Sequence, residues 1–210
     1  MQEIKETAYK KSLKGRILET AMKAFAERGV KAVRMDDVAQ MLGISKRTLY
    51  EIYKDKEELL YQVVVHYDQE HRKHLASFIE QASSVMDIII EIYQRRVVRT
   101  GTVNPMFYED IQKYPKVLDY LNKEREHAYD QFLGFLQRGV HEGYFREDVD
   151  YAMVTQMFTA INTFVMNQHL LARYTIQQVF ANMLLVPLRG FCTAKGLQVI
   201  ENSALTEANK

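Results

Sequence analysis

Only three prolines and nine glycines interrupt this 210-residue chain, and through most of its length apolar residues recur three and four positions apart. That spacing lines one face of a helix, whereas a half-buried strand needs strict alternation. Strand signals are absent, so the chain is expected to be all-α. Its length allows one large domain, or a small domain joined to a larger one, with a usable core in either case.

Ile17, Ala21, Ala24 and Phe25 form one apolar stripe, and Gly29 after Arg28 has the chemistry of a helix stop. A first helix over about Ser12 to Arg28 follows. A short helix is expected from Met35 to Met41, ended by Leu42-Gly43. Ser45 can cap a second short one running to Ile52 or Tyr53. Asp55 or Lys56 opens a longer helix with Leu59, Leu60, Val63, Val64 and Tyr67 on its inner face. Further helices are expected near Ser84–Arg99, Pro105–Lys113, Pro115–Glu142, Asp150–Ala172 and Ile176–Gly196. Pro187 should kink the last of these, and a frayed tail should follow over 202–210.

The net charge of +1 conceals an asymmetry. Met1 to Lys56 holds 13 Lys and Arg against 8 Asp and Glu, a net of +5, which leaves −4 for the remainder. A basic N-terminal quarter on an acidic body suits a head that binds a polyanion. The single cysteine, Cys192, cannot form an internal disulfide, which fits a reducing compartment. Neither a secretory signal nor a run of the roughly 20 apolar residues that a bilayer requires is visible, so no membrane partner and a cytoplasmic location are expected.

The most informative stretch runs from Val33 to Leu60. Val38, Ala39, Leu42, Ile44 and Leu49 are spaced to form a small shared core. Ala39 lets two helices cross closely, and Gly43 is free to take positive φ at the turn. The outer face of the second helix then carries Ser45, Lys46, Arg47, Thr48 and Tyr50, donors suited to base edges in a major groove. Lys54 and Lys56 lie where flanking phosphates could be held, and Arg34 and Asp36 complete the expected DNA-binding set. Arg47 to guanine is the best single expectation for a base contact.

Arg16-Ile-Leu-Glu-Thr-Ala-Met-Lys-Ala-Phe-Ala-Glu-Arg-Gly, Met35-Asp-Asp-Val-Ala, Gly43-Ile-Ser-Lys-Arg-Thr-Leu-Tyr and Lys54-Asp-Lys-Glu-Glu-Leu together resemble the tetracycline-repressor (TetR) family. The phrase Gly143-Tyr-Phe-Arg-Glu-Asp-Val-Asp before a long apolar helix is similar to that family's body. The resemblance implies a three-helix helix-turn-helix DNA-binding domain over 1–55 and a larger helical ligand-binding and dimerisation domain over 56–201. It also implies a homodimer on a palindromic operator in double-stranded DNA, with a cavity in the body for a small effector. Two positions depart from the family pattern. Arg34 stands where Ser or Thr usually caps the first short helix, a loss of about 0.5–2 kcal/mol. Asp36 and Asp37 can recover part of that by facing the helix dipole. Ile52 stands where His or Tyr often reaches a phosphate. Arms related to the one carrying Lys5, Lys10, Lys11 and Lys14 can reach DNA beside the main contact; an ordinary solvated tail is the alternative.

Aromatic residues and methionines are dense in the body, and most of them must be core. Those that could line a cavity are Tyr93, Phe107, Phe132, Met157 and Phe158, with Arg96, Gln131 and Asn162 as polar anchors. The last two long helices are apolar over more than one face. Val154, Phe158, Phe180, Leu184, Leu188 and Phe191 are therefore expected in a dimer interface, as half of a four-helix bundle.

An enzyme is the first rival, but no Gly-rich phosphate loop, Gly-x-Ser-x-Gly elbow or Cys-x-x-Cys pair occurs, and no cofactor is expected. His66, Glu70, His71 and His74 could hold a metal by spacing. A solvated, charged helix face explains the same residues, and no metal site is expected. A protein-binding adaptor would show an acidic or apolar face where this chain has Lys-Arg-Thr. Within the same fold, an activator or a regulator without a ligand stays open beside the repressor.

Overall fold

The helical period is realised throughout the computed structural model, which describes residues 2–100, 103–203 and 205, the side chains of 2–10, 96–100 and 125–129 excepted. No strand occurs among the described residues, only an isolated antiparallel bridge between Phe145 and Cys192. None of the described helices is long and apolar enough to cross a membrane.

Helix α1 spans Gln2–Arg28, starting ten residues before the expected Ser12. Lys11 and Lys14 are exposed along it, while the side chains of Lys5 and Lys10 lie outside the described residues. The short helices are α2 (Met35–Leu42) and α3 (Lys46–Ile52), and α4 runs over Lys56–Gln81. Then come α5 (Val85–Thr100), α6 (Pro105–Ile111) and α7 (Pro115–His141). Packing divides the chain into two compact units, Met1–Arg72 with Val103–Leu121, and Lys73–Thr102 with Asn122–Lys210. Residue 55, the expected boundary between functions, is not where packing divides it. Leu59, Leu60 and Val63 of α4 enter the same core as Ile17, Phe25, Val38 and Leu49, and so do Phe107 and Ile111 of α6.

In the second unit, α8 (Tyr151–Asn167) is capped by Asp150, whose carboxylate accepts from the Ala152 and Met153 amides at 3.0 and 3.1 Å. The continuous helix expected to Ala172 is instead broken. His169 takes left-handed backbone at φ 50°, and α9 (Leu170–Arg173) restarts after it. The expected final helix is also divided. After α10 (Ile176–Val179), the backbone widens to a π-helical stretch over Phe180–Leu185, then narrows to α11 (Val186–Phe191). The widened turn ends two residues before Pro187, which has no N–H to give and whose ring would press on the carbonyl four residues back. Cys192 is extended, and Thr193 caps a separate α12 (Ala194–Glu201).

The residues expected in a dimer interface lie in or against the core of this unit. Phe180, Leu188 and Phe191 are buried within the protomer, and Val154, Phe158 and Leu184 pack partly buried against the same core. Phe191 stands edge-on to Phe145, Tyr151 and Phe158. Leu205, within the segment expected to fray, is fully buried. Cys192 is buried as well, and desolvation pushes its thiol up to about 11, which suits a packing role.

Candidate nucleic-acid interface

The helix-turn-helix is assembled from its turn outward. Arg34 is extended before α2, and a guanidinium has no acceptor with which to cap. The Asp37 carboxylate accepts the Arg34 backbone N–H at 2.8 Å, so part of the missing cap is supplied from inside the helix. At the other end Gly43 takes φ 65°, and the Ile44 amide returns to the Ala39 carbonyl at 3.1 Å. Val38, Ala39 and Leu49 are buried and Leu42 and Ile44 pack against them, as their spacing predicts. Ser45 Oγ accepts from the Thr48 amide at 3.0 Å, and the two hydroxyls lie 2.8 Å apart.

Burial of Leu49 fixes the rotation of α3. Lys46, Arg47 and Tyr50 therefore face outward, with Tyr50 48 % exposed. Neither cation stands alone. The Lys46 ammonium is paired with Asp36 of α2, and Arg47 Nε donates to Glu51 at 2.8 Å, one turn along α3. These carboxylates raise the pKa of Lys46 and of Arg47, chiefly through the hydrogen bonds, so both stay cationic at neutral pH. Among the flanking residues, Arg34 and Lys54 are exposed. Lys56 is half-buried and donates to the Lys31 carbonyl at 3.3 Å, and desolvation lowers its pKa. It braces the loop between α1 and α2 from within.

The last turn of α1 and the same loop are held by α6 and its cap. Asn104, which caps α6, donates through its backbone to the Ala26 carbonyl at 2.7 Å and through its amide side chain to the Glu27 carbonyl at 3.2 Å. Asp110, 1 % exposed, accepts the Lys31 amide at 2.7 Å and the Lys113 ammonium at 3.0 Å. Gly29 permits this approach: it has φ 79°, and a Cβ there would stand 3.0 Å from that of Met106. Sequence reasoning missed Glu51, Asn104 and Asp110. The four-residue spacing of Arg47 and Glu51 was a usable signal. The other two act across 77 and 79 residues, beyond any local pattern.

The expected cavity residues are only partly brought together. Phe107 is in the first unit's core, whereas Tyr93, Phe132 and Phe158 share the second unit's. Tyr93 packs on Phe180 with ring centres 4.5 Å apart, and Phe132 stands edge-on to Phe158 at 5.6 Å. Met157, Gln131 and Asn162 are exposed on the protomer, so neither amide is aimed into that core. The Arg96 side chain lies outside the described residues. A shallow groove of about 470 Å³ is lined by Ile90, Tyr144, Lys195 and Val199, none of them an expected ligand contact. No metal-binding group of His, Cys, Asp and Glu occurs among the described residues.

Residues 17–63 match the profile described as bacterial regulatory proteins, tetR family. The HTH-type transcriptional repressor KstR2 of Rhodococcus jostii is 24 % identical over 152 residues, which is 69 % of this chain and 74 % of that protein. An HTH-type transcriptional regulator of Staphylococcus aureus, SAB2452, is 38 % identical over 72 residues, 34 % of this chain and 35 % of that protein. A transcriptional regulator from Saccharomonospora viridis, solved in complex with choline, superposes with a TM-score of 0.69 at 18 % identity, over 87 % of this chain and 99 % of that one. The ketosteroid regulator KstR2 of Mycobacterium tuberculosis gives 0.56 at 21 %, over 86 % and 95 %. At such identities these structures share the fold.

Proposed function

The chain is a TetR-family transcriptional regulator, and from that premise we propose that it is a repressor, binding a two-fold-symmetric operator as a homodimer and leaving it when a small, largely apolar ligand enters the body. The observation that carries this is the outward face of α3, where Lys46, Arg47 and Tyr50 project from a helix locked by buried Leu49. Lys54 and Arg34 supply phosphate contacts beside it, and Arg47 reads a guanine edge. Residues 1–55 hold the reading function and 56–201 the ligand and dimer functions. Repression is favoured because the KstR2 proteins, similar over most of their length, are named repressors.

The dimer forms through a face of α8 that the sequence did not single out. Tyr151, Thr155 and Val165 turn inward, while Met153, Met157, Ala160 and Phe164 form an exposed stripe at helical spacing, with Met153 68 % exposed. Val186 of α11 is 58 % exposed. A second copy of the chain covers this surface. Tyr93, Phe132 and Phe158 supply the apolar chemistry for a ligand. The ligand acts by its differential affinity for the released state, and no further. Two reading heads must stand about 34–36 Å apart or a multiple of that, so a small displacement is enough to abolish binding.

Selection from a random duplex pool at near-physiological salt tests the proposal, with the Arg47→Ala, Tyr50→Ala double variant as control. A two-fold-symmetric site enriched by the wild type and missed by the variant is the expected result. Absence of any enriched site refutes sequence-specific reading.

A further inference from the structure

We infer that Glu51 is a positioning residue that sets the base specificity of α3, holding the Arg47 guanidinium through Nε so that its two terminal nitrogens face a base edge. This role presupposes that Arg47 reads DNA as proposed above. Arg47 and Glu51 lie one turn apart on the same face, joined by a 2.8 Å hydrogen bond from Nε. The side chains are 89 % and 61 % exposed, so the pair stands on the surface that meets DNA. A guanidinium has five N–H donors, and the bond at Nε leaves the terminal fork, the pair of nitrogens that matches guanine O6 and N7, free for DNA.

Glu51 does two things to that fork. It limits the rotamers of a long side chain, so that the donors point one way before DNA arrives. It also places a carboxylate beside the cation. A phosphate approaching the same nitrogens meets a like charge, whereas the uncharged acceptors of a guanine edge meet a correctly oriented donor pair. The Lys46–Asp36 pair on the same face works in the same sense, drawing a second cation out of the sequence-independent attraction. Arg47 is thereby reserved for a base.

Two substitutions separate aim from charge in the full-length protein. Glu51→Gln keeps an oxygen that accepts from Nε and loses the charge, while Glu51→Ala loses both. Each is carried through the random-duplex selection and through titrations of the selected site and a scrambled duplex over a range of salt, with Arg47→Ala marking the base pair that Arg47 reads. Glu51→Ala should lower preference at that base pair about tenfold and leave the other positions unchanged. Both variants should bind the scrambled duplex more tightly, with a salt slope steeper by about 0.9 as a phosphate contact is gained. Glu51→Gln should retain most of the base preference. Uniform weakening at every position, or unchanged preference and slope, overturns the role of Glu51. A wild-type preference that survives Arg47→Ala overturns it too, while leaving DNA reading by this helix intact. If the wild type enriches no site at all, the reading function itself is refuted and the role of Glu51 with it.

Discussion

Asp110 accepts the Lys31 amide and the Lys113 ammonium while almost wholly buried, so its carboxylate ties α6 to the loop that precedes the helix-turn-helix. Removing it takes the charged acceptor from the part-buried Lys31 N–H, and a hydrogen bond to a charged group contributes about 1.5–3 kcal/mol. Asp110→Ala should lower the urea midpoint of the first unit accordingly. Burial alone would raise this carboxyl's pKa, but the Lys31 amide and the Lys113 ammonium outweigh it and hold the pKa below the ordinary 3.8. A depressed folded-state pKa adds stability above the unfolded value and loses it as pH falls through the folded one. The gap between wild type and Asp110→Ala should therefore be full at neutral pH and shrink below about pH 4, as urea titrations at several pH values would show.

At the scale of the element, ends and breaks separate what local chemistry specifies from what packing imposes. Ser45 and Gly43 mark their helix ends in the sequence because a cap oxygen and positive φ are local requirements. Asp150 is of the same kind. Asp150→Ala should cost about 1 kcal/mol in thermal unfolding and leave DNA affinity unchanged, because α8 loses the acceptor for two of its first N–H groups. The break at His169 carries no such mark. His169 is no glycine, yet it takes left-handed backbone, and Leu170 beyond it is buried against Val165 and Val179. The π-helical stretch before Pro187 was legible only as an expected kink, because sequence marks where a hydrogen bond is lost and not how the backbone absorbs it.

At the scale of the molecule, α6 belongs to the head's core although it lies over forty residues beyond α4's first turns. A fragment of residues 1–72 lacks Asn104, Asp110, Phe107 and Ile111, and should unfold at a distinctly lower temperature than the head does within the whole chain, as circular dichroism melts would report. The exposed stripe on α8 carries a second expectation. Met157→Lys with Phe164→Asp should yield a protein of monomer mass in sedimentation and abolish operator binding, while the far-ultraviolet spectrum stays helical. The sequence by itself determined the helical class, the three helices of the head and the outward polar face of α3, because periodicity, caps and turn glycines act over a few residues. Tertiary structure alone decided which apolar face of α8 is core and which stays exposed on the protomer. It also decided that Phe107 serves the head, that Lys56 and Asp110 brace its loop, and that Glu51 holds Arg47. Both faces of α8 are apolar at the same spacing, so only the neighbours that fill one of them distinguish a core residue from an exposed one.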